Sequence, residues 1–331
     1  MVTITEIAQA LGITPSTVSR ALSGSPRVKA STKEAVLRKA AELGYERNVM
    51  ASNLRKGRSD IVGIVVPRIN REFFSSVISG AESVLNEAGL SVLICQTHER
   101  YEDEVRALRT LKNNRVSGVI MSHSIGSKDG THILEILGDE MPLVQFDRVF
   151  SYLRGAKIVN DNFEGAYKAT CHLVEEGYRH IGTLAGYLNS AAYALRLKGF
   201  RRALADAGLE PAAEYMDSIV PETGRAAALD ALRSGCDALY SAGDFSALGA
   251  IRALQEAGSR IPEDFGIVGT ANESFTALMS PSLSSLALNP RELGRQSAQA
   301  FLDGAADGEI IVPMELVIRQ SSNHKQAICQ K

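Results

Sequence analysis

The sequence predicts a small all-α N-terminal domain followed by a larger α/β domain with two lobes. Three short helices with capping signals fill the first 45 residues. From residue 60 onward, short apolar runs alternate with amphipathic segments, and the alternation starts again after about residue 160. Alternating β and α units are typical of parallel sheets that are covered on both faces. More than 250 residues are too many for one such sheet, so we expect two doubly wound lobes.

The caps predict where each helix of the N-terminal domain begins. Thr3 and Glu6 match a capping box, in which a hydroxyl and a carboxylate satisfy free backbone N–H groups reciprocally. Thr14 is placed to cap the second helix. Ser31 and Glu34 are expected to form another capping box at the start of the third helix. The three helices are therefore short and well bounded.

The second helix carries small polar residues on its outer face. Ser16, Thr17 and Ser19 remain outside when the apolar positions point inward, and their hydroxyls can meet base edges or phosphates. Arg20 can reach a guanine or a phosphate. A helix, a tight turn around Gly12 and such a second helix form the geometry that enters a DNA major groove. The alternative is a capped helical bundle with no role in DNA binding.

Charge is distributed unevenly along the chain. Residues 1–60 carry a balance of +5 and the rest a balance of −7, although the net charge is only −2. A basic N-terminal part on an acidic body indicates that only the former meets a polyanion. The segment 48–57 looks helical, but a helix that short is marginal in water on its own. Because basic residues follow it, it is a candidate for folding on DNA.

Several protein classes are excluded by what the sequence lacks. The four cysteines show no metal or disulfide spacing, which is typical of idle thiols in a reducing cytoplasm. The N-terminus does not match a secretion signal, and no apolar run reaches the roughly 20 residues that span a bilayer. No phosphate loop, nucleophile elbow or paired histidines appear. We expect a cytoplasmic protein that is not an enzyme and has no cofactor, metal or membrane partner.

The chain resembles the lactose-repressor family of bacterial regulators. The segments that carry the resemblance are ITEIAQALGITPSTVSRALSGSPRV, LRKAAELGYERNVMASNLRKGRS and IVGIVVP, and it continues through RLKGFRRALADAGL, RIPEDFGIVG and NPRELGRQSA. The resemblance implies a periplasmic-binding-protein-like fold in which the chain crosses between the lobes three times. It also implies a homodimer on operator DNA, controlled by a small-molecule effector.

The resemblance extends the set of residues expected to contact DNA. It implies that Pro15, Ser16 and Arg20 lie where family members read bases, that Tyr45 and Asn48 contact the backbone, and that Leu54 wedges into the minor groove from paired hinge helices. The full candidate set is Thr3, Thr14, Pro15, Ser16, Thr17, Ser19, Arg20, Tyr45, Asn48, Ala51, Leu54 and Arg55.

Domain boundaries follow from the same patterns. We expect a helix-turn-helix domain over 1–46, a hinge over 47–59 and an effector-binding and dimerisation domain over 60–331. Within the latter, lobe 1 is expected to comprise about 60–160 and 290–318, and lobe 2 about 161–289 and 319–331. The segment IVPMELVIRQ is interpreted as the last strand, and no heptad repeat follows it, so a dimer is the default.

Ligands of doubly wound sheets bind beyond the carboxyl ends of the strands, here between the lobes. A guanidinium facing a carboxylate suits a polyhydroxylated ligand. The resemblance implies that Asp147 and Arg196 contact the effector and that Phe73 and Phe74 line the pocket, whereas singly each could be a salt bridge or packing. The candidate set is Arg71, Phe73, Phe74, Ser122, Asp147, Arg196, Asp244 and Asn272; Arg196 is expected just before a helix that begins near 196.

The cleft departs from the pattern of sugar-binding members. They often carry Asp, Asn and Gln where this chain has Ala271, Gly243 and Leu288, so three groups that hold hydroxyls are absent. Arg68 and Arg71 add positive charge near the mouth of the cleft. The departures favour an anionic effector, such as a sugar acid or a sugar phosphate, over a neutral monosaccharide.

Two other functions remain open at this point. A transporter's solute-binding protein would share the lobes, but it needs export and has no use for a basic N-terminal domain. A sugar- or nucleotide-converting enzyme would need a catalytic constellation that the sequence does not show. The sequence also leaves open whether the effector releases or promotes DNA binding.

Overall fold

The computed structural model describes residues 2–45 and 59–324, which divide into two compact units, Met1–Ser59 and Asp60–Lys331. Most of the predicted hinge, including Asn48, Ala51, Leu54 and Arg55, lies outside the described residues. Among those that are described, no helix combines the length and the apolar character needed to cross a membrane.

In the described part of the first unit, residues 2–45, the chain forms a bundle of three helices, α1 (Ile4–Leu11), α2 (Pro15–Leu22) and α3 (Ala30–Glu42). Ile7, Val18 and Val36 are fully buried at its centre. The caps predicted for the first two helices are confirmed, because the Thr3 box forms and the Thr14 hydroxyl accepts from a backbone N–H. The capping box predicted at Ser31 is wrong. The third helix already begins at Ala30, so Ser31 lies inside its first turn.

The second unit contains two six-stranded sheets, each flanked by helices. Sheet 1 has the order β11-β5-β4-β3-β1-β2 and is parallel throughout. Its strands are β1 (Ile61–Val66), β2 (Ser91–Gln96), β3 (Gly118–Met121), β4 (Leu143–Phe146), β5 (Ala156–Asn160) and β11 (Gly308–Val312). Its helices are α4 (Glu72–Glu87), α5 (Tyr101–Asn113), α6 (Thr131–Leu137) and α11 (Pro290–Leu302).

Sheet 2 has the order β12-β10-β9-β8-β6-β7, in which only β12 runs antiparallel to its neighbour. Its strands are β6 (Ile181–Leu184), β7 (Glu214–Tyr215), β8 (Ala238–Ser241), β9 (Gly266–Ala271), β10 (Ser284–Ala287) and β12 (Glu315–Val317). Its helices are α7 (Asn162–Glu176), α8 (Ala191–Asp206), α9 (Pro221–Arg233) and α10 (Asp244–Glu256). The sequence did not predict β5 or β7.

The chain passes between the two sheets three times, after β5, after β10 and after β11. The segment IVPMELVIRQ is not one strand, as expected, but two. Pro313 has no N–H to give to a ladder, and the chain leaves sheet 1 there and enters sheet 2 at β12. Residues 315–317, expected in lobe 1, therefore pair within lobe 2.

Within each lobe, neighbouring helices approach so closely that a glycine is required at the contact. A Cβ atom on Gly80 of α4 would lie 2.1 Å from the carbonyl oxygen of Arg291 in α11. One on Gly199 of α8 would lie 2.2 Å from the carbonyl oxygen of Phe163 in α7. Interiors packed this closely transmit displacement rather than absorb it. Each lobe is therefore built to move as one piece.

Candidate ligand cleft and DNA-recognition helix

A cavity of about 140 Å³ lies between the lobes, beyond the carboxyl ends of the strands. Loops after β1 and β4 line it from lobe 1, and the first turn of α8 with the loops after β8 and β9 line it from lobe 2. Six predicted effector residues meet at this cavity: Arg71, Phe73, Phe74, Asp147, Arg196 and Asp244. Six of the eight effector candidates therefore line the cavity, although the roles of these residues stay predictions.

Asp147 and Arg196 enter the cleft from opposite lobes. Asp147 follows β4 in a left-handed backbone conformation with φ 58°. Burial raises the pKa of its carboxyl, and the nearby guanidinium groups of Arg148 and Arg196 oppose the rise. Arg196 is only 5% exposed, and its Nη1 donates to the Ala242 carbonyl oxygen at 2.9 Å. Lobe 2 thus holds a fixed cation facing a carboxyl group of lobe 1.

The expectation that Arg196 precedes its helix is wrong. The helix α8 begins at Ala191, so Arg196 lies in its second turn. Alanines at 191 and 192 favour an early start, since alanine has the highest helix propensity. This placement orients the guanidinium from a rigid element rather than from a loop. It also brings Tyr193, which the sequence analysis missed, beneath Arg196, with the guanidinium carbon 5.3 Å from the ring centroid.

A buried ion pair that was not predicted as a site holds the lobe 1 wall. Arg148 donates to both carboxylate oxygens of Glu99, at 2.7 Å and 3.2 Å. Burial works against the charge on Arg148, but Glu99 outweighs it and the pKa of Arg148 is raised. Glu99 has the left-handed φ of 63°, and such strain tends to collect at functional sites. Local sequence gives no signal for a pair separated by 49 residues.

Asp244 lines the cleft, but its oxygens are already used. Oδ1 accepts from the Ser285 hydroxyl at 2.7 Å, and Oδ2 accepts from the Glu273 backbone N–H at 2.9 Å. Burial raises the pKa of Asp244 to about 6, and these hydrogen bonds oppose the rise. The side chain therefore ties α10 to the loop after β9. A direct bond to ligand would compete with these contacts.

Two predicted effector residues do not line the cavity. Ser122 is fully buried behind the wall of lobe 1. Asn272 lies instead at a separate cavity beside the lobe crossings, and its Oδ1 accepts from Arg319 Nη2 at 2.8 Å. Both residues do follow the ends of strands, as predicted. Ser122 is buried behind the wall, and the Asn272 side chain is engaged by the non-local Arg319.

Three contacts bridge the lobes around the cleft. The Arg71 guanidinium carbon lies 3.9 Å from the centroid of the Phe245 ring. The Ser274 backbone N–H donates to Glu72 Oε2 at 2.8 Å. The Asn189 side chain donates to the Ile125 carbonyl oxygen at 2.9 Å. In this structure the two lobes therefore contact each other around the cleft.

The bridge at Glu72 contains a second carboxyl group, that of Glu273. Burial and the neighbouring carboxyl groups of Glu72 and Asp244 raise the pKa of Glu273 to about 7, against the opposing charge of Arg71. Phe245 and Glu273 were both missed, although each directly follows a residue that was predicted. Their positions next to Asp244 and Asn272, after strand ends, could have identified them.

The recognition helix α2 presents the predicted DNA-contacting residues. Pro15, Ser16 and Arg20 are exposed, and Thr17 and Ser19 are half-buried. The Thr14 hydroxyl lies 2.9 Å from the hydroxyls of both Ser16 and Thr17. Thr3 is exposed at the start of α1, and Tyr45 packs partly buried against the bundle core. In the described residues no group of three or more potential metal ligands occurs.

Comparison with known proteins decides the family. A family model for bacterial regulatory proteins of the lacI family matches residues 3–48, and one for a periplasmic binding protein-like domain matches residues 170–322. The transcriptional repressor PurR of Vibrio vulnificus is 30% identical over 313 residues, which cover 93% of each chain. The chain belongs to the lacI family of bacterial regulatory proteins.

Solved structures agree with this membership. The Lac repressor dimer bound to operator and the anti-inducer ONPF has a TM-score of 0.86 and 27% identity, covering 97% of this chain and 99% of that one. The transcriptional regulator CelR in complex with cellobiose has a TM-score of 0.71 and 27% identity, covering 97% and 100%. The predicted fold class is confirmed, and the chain is a ligand-responsive transcriptional regulator.

The bridge at Glu273 predicts a dependence of stability on pH. Between its ordinary pKa of 4.5 and its folded-state value of about 7, the folded chain keeps a proton that the unfolded chain has released. The free energy of unfolding of the α/β unit therefore falls as pH rises through this window. Glu273→Gln has no carboxyl group to titrate, so it does not lose stability in this way. The urea midpoint of Glu273→Gln should therefore rise relative to that of the parent as pH rises.

The matched control is Glu82→Gln, which changes an exposed glutamate of α4 that accepts from Asn86. Its midpoint should keep a constant offset from the parent's at every pH. If the midpoints of Glu273→Gln and the parent instead run parallel from about pH 4.5 to 8, the carboxyl of Glu273 is not protonated in the folded chain.

Proposed function

We propose that this regulator is a homodimeric repressor of a pseudo-palindromic operator, controlled by a small anionic carbohydrate derivative in the cleft. The observation that carries the proposal is the meeting of Asp147 and Arg196 from opposite lobes at one cavity. A ligand that bonds to both stabilises closure, and it shifts the protein only by its difference in affinity for the closed and open states. The proposed setting is the cytoplasm, with no metal or cofactor.

The DNA contacts are proposed from α2 and the hinge. The exposed hydroxyls and Arg20 on one face of α2 suit base edges and phosphates in the major groove. Tyr45 and Asn48 are proposed to contact the DNA backbone, and Ala51, Leu54 and Arg55 to contact DNA from paired hinge helices, with Leu54 wedged into the minor groove. A dimer presents two copies of α2 to two half-sites, and the similar Lac repressor is a dimer on its operator.

The size of the cleft and two arginines that line it support a small anionic effector. At about 10–15 Å³ for each water-sized group, the cavity holds about ten such groups, close to one monosaccharide derivative. Arg68 and Arg71 line the cavity, and Arg68 is exposed. Ala271, Gly243 and Leu288 also line it, so the wall of lobe 2 offers no side-chain groups for hydroxyls there. CelR, a relative in structure, binds cellobiose, which supports the carbohydrate class.

The recognition role of Arg20 has a direct test on operator sequences selected from a random library with the parent protein. Arg20→Ala should lower the ratio of operator affinity to random-DNA affinity by about five- to a hundredfold, because one base contact contributes about 1–3 kcal/mol of discrimination. The affinities are measured by fluorescence anisotropy at one salt concentration. Arg38→Ala, an exposed change on α3, should leave the ratio unchanged. Equal ratios for Arg20→Ala and the parent would contradict the assignment.

The effector class is tested with three probes that share one carbon skeleton: glucose, gluconate and glucose 6-phosphate. One of the two anions should raise the melting temperature and bind more tightly than glucose in titration calorimetry. Arg71→Gln should weaken that anion about tenfold, the loss expected for one charge-assisted hydrogen bond. Arg100→Gln, exposed and outside the cavity, is the control. Preference for neutral glucose, or no binding by any probe, would contradict the proposed class.

A further inference from the structure

One buried side chain touches all three passages between the lobes. Asn160 ends β5 and begins the first passage. Its Nδ2 donates to the Leu288 carbonyl oxygen of the second passage at 2.8 Å and to the Val312 carbonyl oxygen of the third at 3.2 Å. The residue is 3% exposed, so water does not weaken these bonds. One amide therefore connects all three passages.

The acceptor atom of the same amide is left without a partner. Oδ1 of Asn160 is buried and accepts no hydrogen bond from the described residues. An unsatisfied buried acceptor costs about 1–3 kcal/mol. The unsatisfied atom lies at the point where the three passages meet.

A second amide connects this point to the cleft. Asn162, in the first turn of α7, donates from Nδ2 to the Asn160 carbonyl oxygen at 3.0 Å. Its Oδ1 accepts from Arg196 Nε at 2.8 Å. Asn162 is 2% exposed and Arg196 5% exposed. A continuous series of buried hydrogen bonds therefore runs from the guanidinium in the cleft to the passages on which the lobes turn.

We propose that Asn162 and Asn160 are positioning residues that couple the guanidinium of Arg196 to the three passages between the lobes. The proposal rests on the proposed function for the role of Arg196 toward the effector. Rotation of the lobes changes the backbone angles of residues 160–162, which moves the amide that Arg196 is bonded to. Conversely, a ligand that bonds to the Arg196 guanidinium changes the relative free energies of the hinge conformations, because the coupling is reciprocal.

The proposal is tested by hydrogen exchange of the full chain, without effector or DNA. The reporter is the Asp161 backbone N–H, which donates to the Val312 carbonyl oxygen across the first and third passages. Arg196→Lys keeps the charge but loses the planar Nε donor, and Asn162→Ala removes the amide. Each should raise exchange at Asp161 about tenfold, the effect of losing a bond to a charged donor. The double variant should exchange no faster than the faster single variant, because both remove one connection.

Asn289→Asp supplies the control, because Asn289 also bonds to a passage, through Pro313, but it is exposed and has no bond to the cleft. In the double variant with Arg196→Lys, the fold-change in Asp161 exchange caused by Asn289→Asp should multiply with the fold-change caused by Arg196→Lys. The amides of β3 should exchange at the parental rate in every variant, which checks that the fold is intact. If they exchange faster in Asn162→Ala, Asn162→Ser is used in its place. Two results would overturn the proposal. In one, the fold-increases in Asp161 exchange caused by Arg196→Lys and by Asn162→Ala multiply in the double variant. In the other, Asp161 exchanges at the parental rate in Arg196→Lys. A failure of the effector probes would leave this result untouched, so the two proposals fail separately.

Discussion

The rest of the structure depends on one constraint: each sheet is completed by a strand that arrives from the other lobe. β11 returns to sheet 1 after sheet 2 has been largely built, and β12 then closes sheet 2. The lobes are consequently tied by three short passages side by side. Because closely packed helices make each lobe stiff, relative motion is confined to a hinge at these passages. Opening and closing of the cleft is the motion that such a hinge allows.

This constraint explains the chemistry of the cleft. Its charged groups come from both lobes, so the full set exists only when the lobes are closed. The fixed ion pair of Arg148 with Glu99 keeps one wall rigid, while Asp147 and Arg196 face each other across the space. Ligand binding and lobe closure are then one equilibrium. Burial and the neighbouring Glu72 raise the pKa of Glu273 to about 7, so the contribution of this bridge to that equilibrium varies near neutral pH.

Features fixed by local sequence were predictable, and features fixed by distant contacts were not. The caps at Thr3 and Thr14 and most strands follow from short patterns and were confirmed. The early start of α8, the split of the last strand at Pro313, the burial of Ser122 and the engagement of Asp244 by Ser285 were missed or wrong. The start of α8 follows from the local alanines at 191 and 192 and was overlooked, whereas the other three depend on residues far away in the chain or on a sheet assignment that no local pattern contains.

The central claim is that operator affinity responds to lobe closure. It is tested most directly by a disulfide across the cleft mouth in the double variant Glu72→Cys, Ser274→Cys, at positions that contact each other between the lobes. The measurement is operator affinity of the oxidised and the reduced protein, with both single variants controlling for the native cysteines. We expect oxidation to change the affinity of the double variant at least about tenfold, a coupling of about 1.4 kcal/mol, and to leave the single variants unchanged. Equal affinities of the cross-linked and reduced double variant would contradict the account.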